Sequence, residues 1–450
     1  MSWSATISQL LEVLRAQPVN LSETAFTQVS SAIQTDTRKI KPGEVFLALR
    51  GDNFDGHDFV STAIAQGAIA AIVDGDDDNA DLPLLQVRNT LQAYQQLGRW
   101  WRDRLNIPVI GVTGSVGKTT TKELIAAVLA TTGKVHKTYG NFNNEIGVPR
   151  TLLELSTEDN YAVVEMAMRG EGQIAELTQI ARPNIGVITN VGTAHIELLG
   201  SEEAIARAKC ELLAEMPPDG VAILNHDNAL LMSTAQQVWS GKVVTYGLSG
   251  GDIQGQIIDH ETIQVGGMQL PLPLPGRHNA SNFLAALAVA QVLGIDWSSL
   301  QNGVMVNMPQ GRSQRLTLAN DIILLDETYN AAPEAMTAAL ELLVDTPGKR
   351  KIAVLGAMKE LGERSRQLHQ KVGETVQRLQ LDGLLVLVDG KDAEAIAQSA
   401  VGIPSECFTT HSDLLARLKT FIQPGDRILF KAAHSVGLDT VVNQLRAEFL

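Results

Sequence analysis

Residues 111–125, GVTGSVGKTTTKELI, follow the apolar run NIPVI. An apolar strand, a glycine-rich turn and a helix in direct succession leave few folds open. Such a unit belongs in a parallel sheet with crossover helices, and its turn can offer backbone N–H groups to an anion. The strict phosphate-loop spacing wants Gly, four residues, then Gly-Lys-Thr/Ser. Gly117, Lys118 and Thr119 satisfy its end, but the first glycine would fall on Val112, and Gly111 stands one place early. Gly114 and Gly117 still bracket a tight turn. From there Lys118 can reach the terminal phosphates of a nucleotide, and the Thr119 hydroxyl can hold Mg²⁺. The bland alternative is a flexible turn with a solvent lysine; the apolar strand before it argues against that. A dinucleotide fingerprint fits less well, because Lys-Thr stands in the third glycine's environment.

The rest of the chain repeats the same rhythm. GEVFLALRG (43–51) and AIAAIVDG read as strands, with DFVSTAIAQG as a helix between them and TLQAYQQLGRWWRDRLN (90–106) as a helix leading onward. Strand 107–112 opens a second unit with a helix over about 118–130. Strands NYAVVEMA (160–167), PNIGVITNVG (183–192) and GVAILN (220–225) follow. The helix SEEAIARAKCELLAEM (201–216) has Ser201 as its N-cap and glutamates in its first turn. A third unit, beginning near 310–315, has strand candidates DIILLDE, KIAVLG, GLLVLVDG and DRILFK. The fold class is α/β: mainly parallel sheets with helices on both faces. The expected units are 1–104, 105–313 with the phosphate loop, and 314–450, a smaller doubly wound domain. DGDDDNAD (74–81) reads as a solvated acidic loop.

A formal net charge of −14, from 36 basic and 50 acidic residues, disfavours nucleic acid and acidic membranes as partners. Cys210 and Cys407 form neither a metal motif nor a disulfide framework, which points to a reducing compartment. The first twenty residues lack the features of a signal peptide, and no segment has the ~18 uninterrupted apolar residues of a membrane span. The expectation is a cytoplasmic monomer without stable membrane insertion.

Ligands of open α/β sheets bind beyond the carboxyl ends of the strands. Glu165 and His195 follow strands there, and Mg²⁺ prefers the oxygen ligand. Alone, Lys209 reads as a surface lysine. Asn279 and Asn282 in GRHNASN share one helix face, where adenine contact competes with capping. DETYNAAPEAM places Asp326, Tyr329 and Asn330 after a strand, with Pro333 suited to a helix start. These residues specify an Mg-nucleotide enzyme and leave kinase, NTP-driven motor and ATP-dependent ligase open.

In order and over essentially the whole chain, these blocks resemble the Mur ligase family of peptidoglycan synthesis. Its phosphate loop has the form Thr-Gly-x-x-Gly-Lys-Thr, matched by residues 113–119. TDTRKIKPGEVFLALRGDNFDGHDF (35–59), NFNNEIGVP (141–149), NVGTAHIELLGSEEAIARAKCEL (190–212), GRHNASNFLAAL (276–287), DETYNAAPEAM and LGAMKELG (355–362) complete the match. The resemblance implies a three-domain architecture: a UDP-substrate domain, a central ATP-binding domain with a parallel sheet, and a C-terminal Rossmann-like domain. It implies nucleotide contacts from Thr113, Gly114, Ser115, Gly117, Lys118, Thr119, Thr120, Asn279, Asn282, Arg312, Asp326, Tyr329 and Asn330. It further implies metal positions at Thr119, Glu165, His195 and Lys209, the last carbamylated, with Lys118, Glu165, His195 and Lys209 catalytic and two Mg²⁺ beside ATP. Thr35, Asp36, Thr37 and Arg38 align near the uridine nucleotide.

The implied partners are UDP-N-acetylmuramoyl-tripeptide and D-alanyl-D-alanine, because the Asp-Asn-Pro-Arg-like motif of the third-residue ligase is absent. The rivals are another amide ligase of the family and a nucleotide-binding regulator without catalysis. Three departures stand out. Ala357 occupies a usual Asp position. Ala432-Ala433-His434 follow Lys431 where Gly-Ser-Arg is usual. Glu327-Thr328 and Ala332 replace a frequent Asp-Ser and Asn.

Overall fold

The computed structural model describes residues 3–75 and 81–449, so five residues of the expected acidic loop lie outside the described residues. Three large sheets carry the chain, beside two two-stranded ones.

In the first, strands Gln17–Val19, Leu84–Val87, Ala70–Asp74, Val45–Leu47 and Ile33–Gln34 lie side by side. All neighbours are parallel except the first pair. The strand expected over 43–51 is shorter. After Leu47 the chain leaves the sheet, and Arg50–Gly51 pairs with Phe54–Asp55 in a small hairpin. The helix Thr90–Arg104, capped by Asn89, then carries the chain into the second sheet.

That sheet has nine strands. The strand Val109–Thr113 lies between Tyr161–Glu165 and Ile185–Ile188; the chain leaves it toward Val135–Lys137 on one side and leaves Ile185–Ile188 toward Val221–Asn225 on the other. A crevice opens where strand order reverses in this way, and the phosphate loop lies at that point. Four of its strands were read from the sequence; Val135–Lys137, Lys242–Gly247 and the sheet's far edge were not. Ile253–Ile257 joins it in parallel beside Lys242–Gly247, and Thr262–Val265 and Met268–Pro271 follow as antiparallel neighbours. Buried and exposed residues alternate along Ile253–Ile257 and Thr262–Val265. One face rests on the buried helix Arg277–Val292 and the other meets water, which antiparallel pairing tolerates.

The third sheet runs Gln314–Leu318, Ile322–Asp326, Asp426–Lys431, Arg350–Gly356, Gly383–Leu387, Ser405–Phe408. Its edge strand Gln314–Leu318 is antiparallel and the others are parallel. The Ser201 hydroxyl caps its helix by accepting from Ala204 N at 3.2 Å, and Pro333 begins the helix Pro333–Asp345.

Two kinds of seam join the units. The first and second share one apolar cluster that includes Trp3, Leu10, Leu97, Trp101, Val148 and Leu152. Trp101 Nε1 donates to Leu155 O at 2.9 Å, and Gly98 lies so close to Pro149 that a Cβ would meet it at 2.9 Å. Among the described residues, the third unit's apolar clusters contain only its own side chains. It meets the second unit through polar groups instead.

Candidate active site

A cleft of about 1440 Å³ opens where the three sheets' loops converge. Of the expected site residues, Thr35, Ser115, Gly117, Lys118, Thr119, Thr120, Glu165, His195, Asn279, Asn282, Arg312, Tyr329 and Asn330 line it.

The phosphate loop forms its floor. Gly117 has φ 81° and Gly114 φ 148°, both in the region that favours glycine. A Cβ on Gly114 would come within 1.9 Å of Thr189 Oγ1, and one on Gly117 within 2.8 Å of Asn282 Oδ1. Asn190 holds the loop's near side: its backbone oxygen accepts from Ser115 N and its Oδ1 from Val116 N, each at 3.0 Å. Those two amides are occupied. The amides of Lys118, Thr119 and Thr120 lie in the first turn of Lys118–Leu129 and have no helical acceptor of their own, leaving a positive helix end for an anion. Lys118 Nζ folds back on Gly114 O at 2.8 Å, and burial holds its pKa below the usual lysine range.

Glu165 ends the neighbouring strand. One oxygen accepts from Thr119 Oγ1 at 3.2 Å and Asn143 Nδ2 at 2.7 Å. The other is buried without a hydrogen-bond donor, with the Lys122 ammonium 3.6 Å away. A buried carboxylate oxygen with a spare lone pair beside a phosphate-loop hydroxyl suits Mg²⁺, which takes one or two protein oxygens and completes its shell with phosphate and water. Among the described residues no three His, Cys, Asp or Glu side chains cluster as a self-sufficient metal cage, so phosphate oxygens would supply much of that shell. Lys122 and Asn143 escaped the sequence reading. Asn143 stood within a quoted block, and Lys122 lies one helical turn beyond Lys118.

His195 sits in left-handed backbone (φ 67°), and its ring meets Glu360 of the third unit. Burial lowers its pKa most, and Lys118 adds to that while Glu360 opposes it, which favours the neutral ring. Lys209 is fully buried on the helix Glu202–Glu215 and does not line the cleft. Burial first, then Lys118, pushes its pKa well below the usual value, and among the described residues no carboxylate lies within ion-pair distance.

Asn282 and Asn279 face the floor from the helix Arg277–Val292. Asn282 Oδ1 accepts from Thr121 Oγ1 at 3.2 Å, and Asn279 Nδ2 donates to Pro275 O. On the third wall, Arg312 lies over the Tyr329 ring at 3.9 Å, and His434 stacks on Tyr329 at 5.4 Å. Lys431 Nζ donates to Asn330 O at 2.9 Å. Ala357 is buried among apolar neighbours and takes no place in the cleft.

Several expected residues stand apart from the lining. Thr113 lies beneath the loop, where its hydroxyl donates to Met166 O, and Gly114 is buried with it. Asp326 is buried in its own turn, accepting from Thr328 N and Oγ1, and burial raises its pKa. Asp36 and Arg38 pair with each other on a surface turn that also contains Thr37.

The Mur ligase middle domain matches residues 112–290, the Mur ligase glutamate ligase domain 311–434, and the Mur ligase family catalytic domain 30–101. The chain is 58% identical over 418 residues to the UDP-N-acetylmuramoyl-tripeptide–D-alanyl-D-alanine ligase of Synechocystis, covering 92% of each. It is 37% identical to that of Escherichia coli, covering 98% of each. The crystal structure of MurF from Acinetobacter baumannii superposes with a TM-score of 0.89 at 31% identity, over 99% of both chains. MurF from Thermotoga maritima in complex with ADP gives 0.84 at 31% identity, over 93% of this chain and 97% of that one.

Proposed function

The chain belongs to the Mur ligase family, and from that premise we propose how its residues divide the work of joining a carboxylate to an amine. It is an ATP-dependent ligase that adds D-alanyl-D-alanine to UDP-N-acetylmuramoyl-tripeptide in peptidoglycan synthesis. The observation that carries the division of labour is the shared cleft. Its phosphate-loop floor and Glu165 lie against loops of the other two units.

A carboxylate is a poor electrophile in water, so it is first activated. The tripeptide's terminal carboxylate attacks the γ-phosphorus of ATP and ADP leaves. The amine of D-alanyl-D-alanine then attacks the acyl carbon, and phosphate departs as the amide forms. Lys118 leaves the Gly114 carbonyl for the terminal phosphates. The first-turn amides and Thr119 share the phosphate charge, each preorganised donor contributing roughly 3 kcal/mol in the transition state. Mg²⁺, when bound, neutralises charge on the transferring phosphoryl group. In this reading Glu165 and Thr119 would hold one ion, and His195 with a carbamylated Lys209 would hold a second. The downward shift that burial gives Lys209 supports carbamylation, because it favours the neutral amine, which attacks CO₂, forms the N–C bond and releases one proton. Asn279, Asn282, Arg312, Asp326, Tyr329 and Asn330 serve the nucleotide, and Thr113 and Gly114 shape its loop.

In the same reading residues 1–104 hold the UDP end, with Thr35 facing the cleft and Asp36, Thr37 and Arg38 beside it. Residues 105–313 hold ATP, and 314–450 bring D-alanyl-D-alanine. Among the described residues no helix is long and apolar enough to cross a membrane, and both cysteines are free. The reading takes the chain as a cytoplasmic monomer.

The test is phosphate release. Purified protein with ATP and Mg²⁺ should release phosphate only when both UDP-N-acetylmuramoyl-tripeptide and D-alanyl-D-alanine are present. Equal release in the absence of UDP-N-acetylmuramoyl-tripeptide would refute the reading. The same assay on Lys209→Ala should show lost turnover partly restored by a small carboxylic acid; wild-type turnover would remove carbamylation from it.

A further inference from the structure

Two residues other than glycine adopt left-handed backbone and face each other across the polar seam: His195 at φ 67° and Glu360 at φ 60°. Such backbone costs about 1–3 kcal/mol for a residue with a side chain, and it persists where the surroundings over-determine it. Here they do. Glu360 O accepts from Glu197 N at 3.3 Å. Met358 N, two residues earlier, donates to the buried His369 Nε2 at 3.0 Å, and His369 Nδ1 reaches Ser365 O at 2.8 Å. Gly362, two residues later, lies against Glu197.

The Glu360 side chain makes use of that placement. Its Oε2 meets His195 Nδ1, and its Oε1 accepts from Arg169 Nη2 at 2.7 Å. Arg169 is on the loop after Tyr161–Glu165, and His195 on the loop after Ile185–Ile188. Those strands flank Val109–Thr113, which leads into the phosphate loop. One carboxylate from the third unit therefore ties together the two loops beside the phosphate loop. Among the described residues, Glu360 is the hydrogen-bond partner of the His195 ring.

We propose that Glu360 is the positioning residue for His195: its carboxylate accepts a hydrogen bond from Nδ1–H, fixes the ring's orientation and leaves Nε2 as the nitrogen that can accept. Because Glu360 belongs to the third unit, the ring is fixed only when that unit is docked. A carboxylate behind a ligating histidine raises its basicity and sets its tautomer, and losing one commonly costs 10–100-fold in metal affinity. The proposal rests on the reading of His195 as a metal position, but its first readout needs no metal.

Full-length protein labelled with ¹⁵N-histidine, free of ligands, gives the tautomer by two-bond ¹H–¹⁵N correlation. The His195 signals are those lost in His195→Gln. The wild type should show the Nδ1–H tautomer. Glu360→Gln, whose amide oxygen still accepts, should keep it, and Glu360→Ala should shift toward Nε2–H. An unchanged tautomer in a folded Glu360→Ala protein would overturn the proposal. The second readout is Mn²⁺ affinity by electron paramagnetic resonance, with a non-hydrolysable ATP analogue and UDP-N-acetylmuramoyl-tripeptide present. Glu360→Ala should weaken it about 10–100-fold. If His195→Gln weakens Mn²⁺ and Glu360→Ala does not, the positioning role falls. If His195→Gln leaves Mn²⁺ untouched, the metal reading of His195 falls, and the tautomer alone judges Glu360.

Discussion

The two seams of this molecule are built from opposite materials. Between the first and second units, Trp3, Leu97 and Trp101 join Val148 and Leu152 in one buried cluster, and Arg102 donates to the carbonyls of Ala181 and Arg182. Between the second and third units polar contacts take that place, several of them made by carboxylates. Glu360 holds His195 and Arg169, and Glu334 Oε1 accepts from Thr193 N and Oγ1 at 2.8 and 2.9 Å. Separating an apolar cluster exposes its whole surface to water. Separating a polar contact exchanges hydrogen bonds for water's, at small net cost. The first seam therefore fixes two units as one body, while the second can open for substrates and close over an acyl phosphate that water would destroy. Glu334 supports this view. Its second oxygen is buried without a donor, so the docked seam leaves one acceptor unsatisfied.

The comparison breaks first at its apolar side. Trp101→Ala should cost about 3–5 kcal/mol of stability, read as a lowered midpoint in denaturant unfolding. A midpoint near that of the wild type would mean that the seam is not a shared core. Lys118→Ala touches neither seam. It should lower turnover at least about a hundredfold, the ~3 kcal/mol of one preorganised donor, with the unfolding midpoint kept. Near-wild-type turnover would remove Lys118 from the phosphates. The polar side gives the smallest effect. Glu334→Ala should change stability by no more than about 1 kcal/mol. X-ray scattering of the wild type should show compaction on adding an ATP analogue and UDP-N-acetylmuramoyl-tripeptide, and the variant should compact less. Identical curves with and without these ligands would show that the second seam does not move.

Much of the fold was readable because its cues are local. Ser201 before Glu202 and Glu203 announced a helix start, and Pro333 announced another. The strand before Gly114 and the helix after Gly117 announced the phosphate loop. The sheet edge over 253–271 was passed over although its alternation is clear, because the strands are short and lie outside the strand–helix rhythm. The candidate site divided in the same way. Lys118 and Thr119 open the helix that follows Val109–Thr113, and Glu165 ends the strand beside it, so a rule about strand ends finds them. Lys209 offered no local signal at all. What distinguishes it is burial beside Lys118, and burial belongs to the packed helix rather than to any spacing in the chain.

By itself, then, the sequence determined the units' internal character: apolar strands at one period, helices at another, and glycines where a Cβ would strike Thr189 or Asn282. Only the tertiary structure decided which strand ends face one another. His195 and Glu360 are 165 positions apart, and Thr121 and Asn282 are 161 apart. The physical reason is range. Turn chemistry and side-chain period act over a few residues, whereas a carboxylate's partner is chosen by sheet order and by how two separately built units dock.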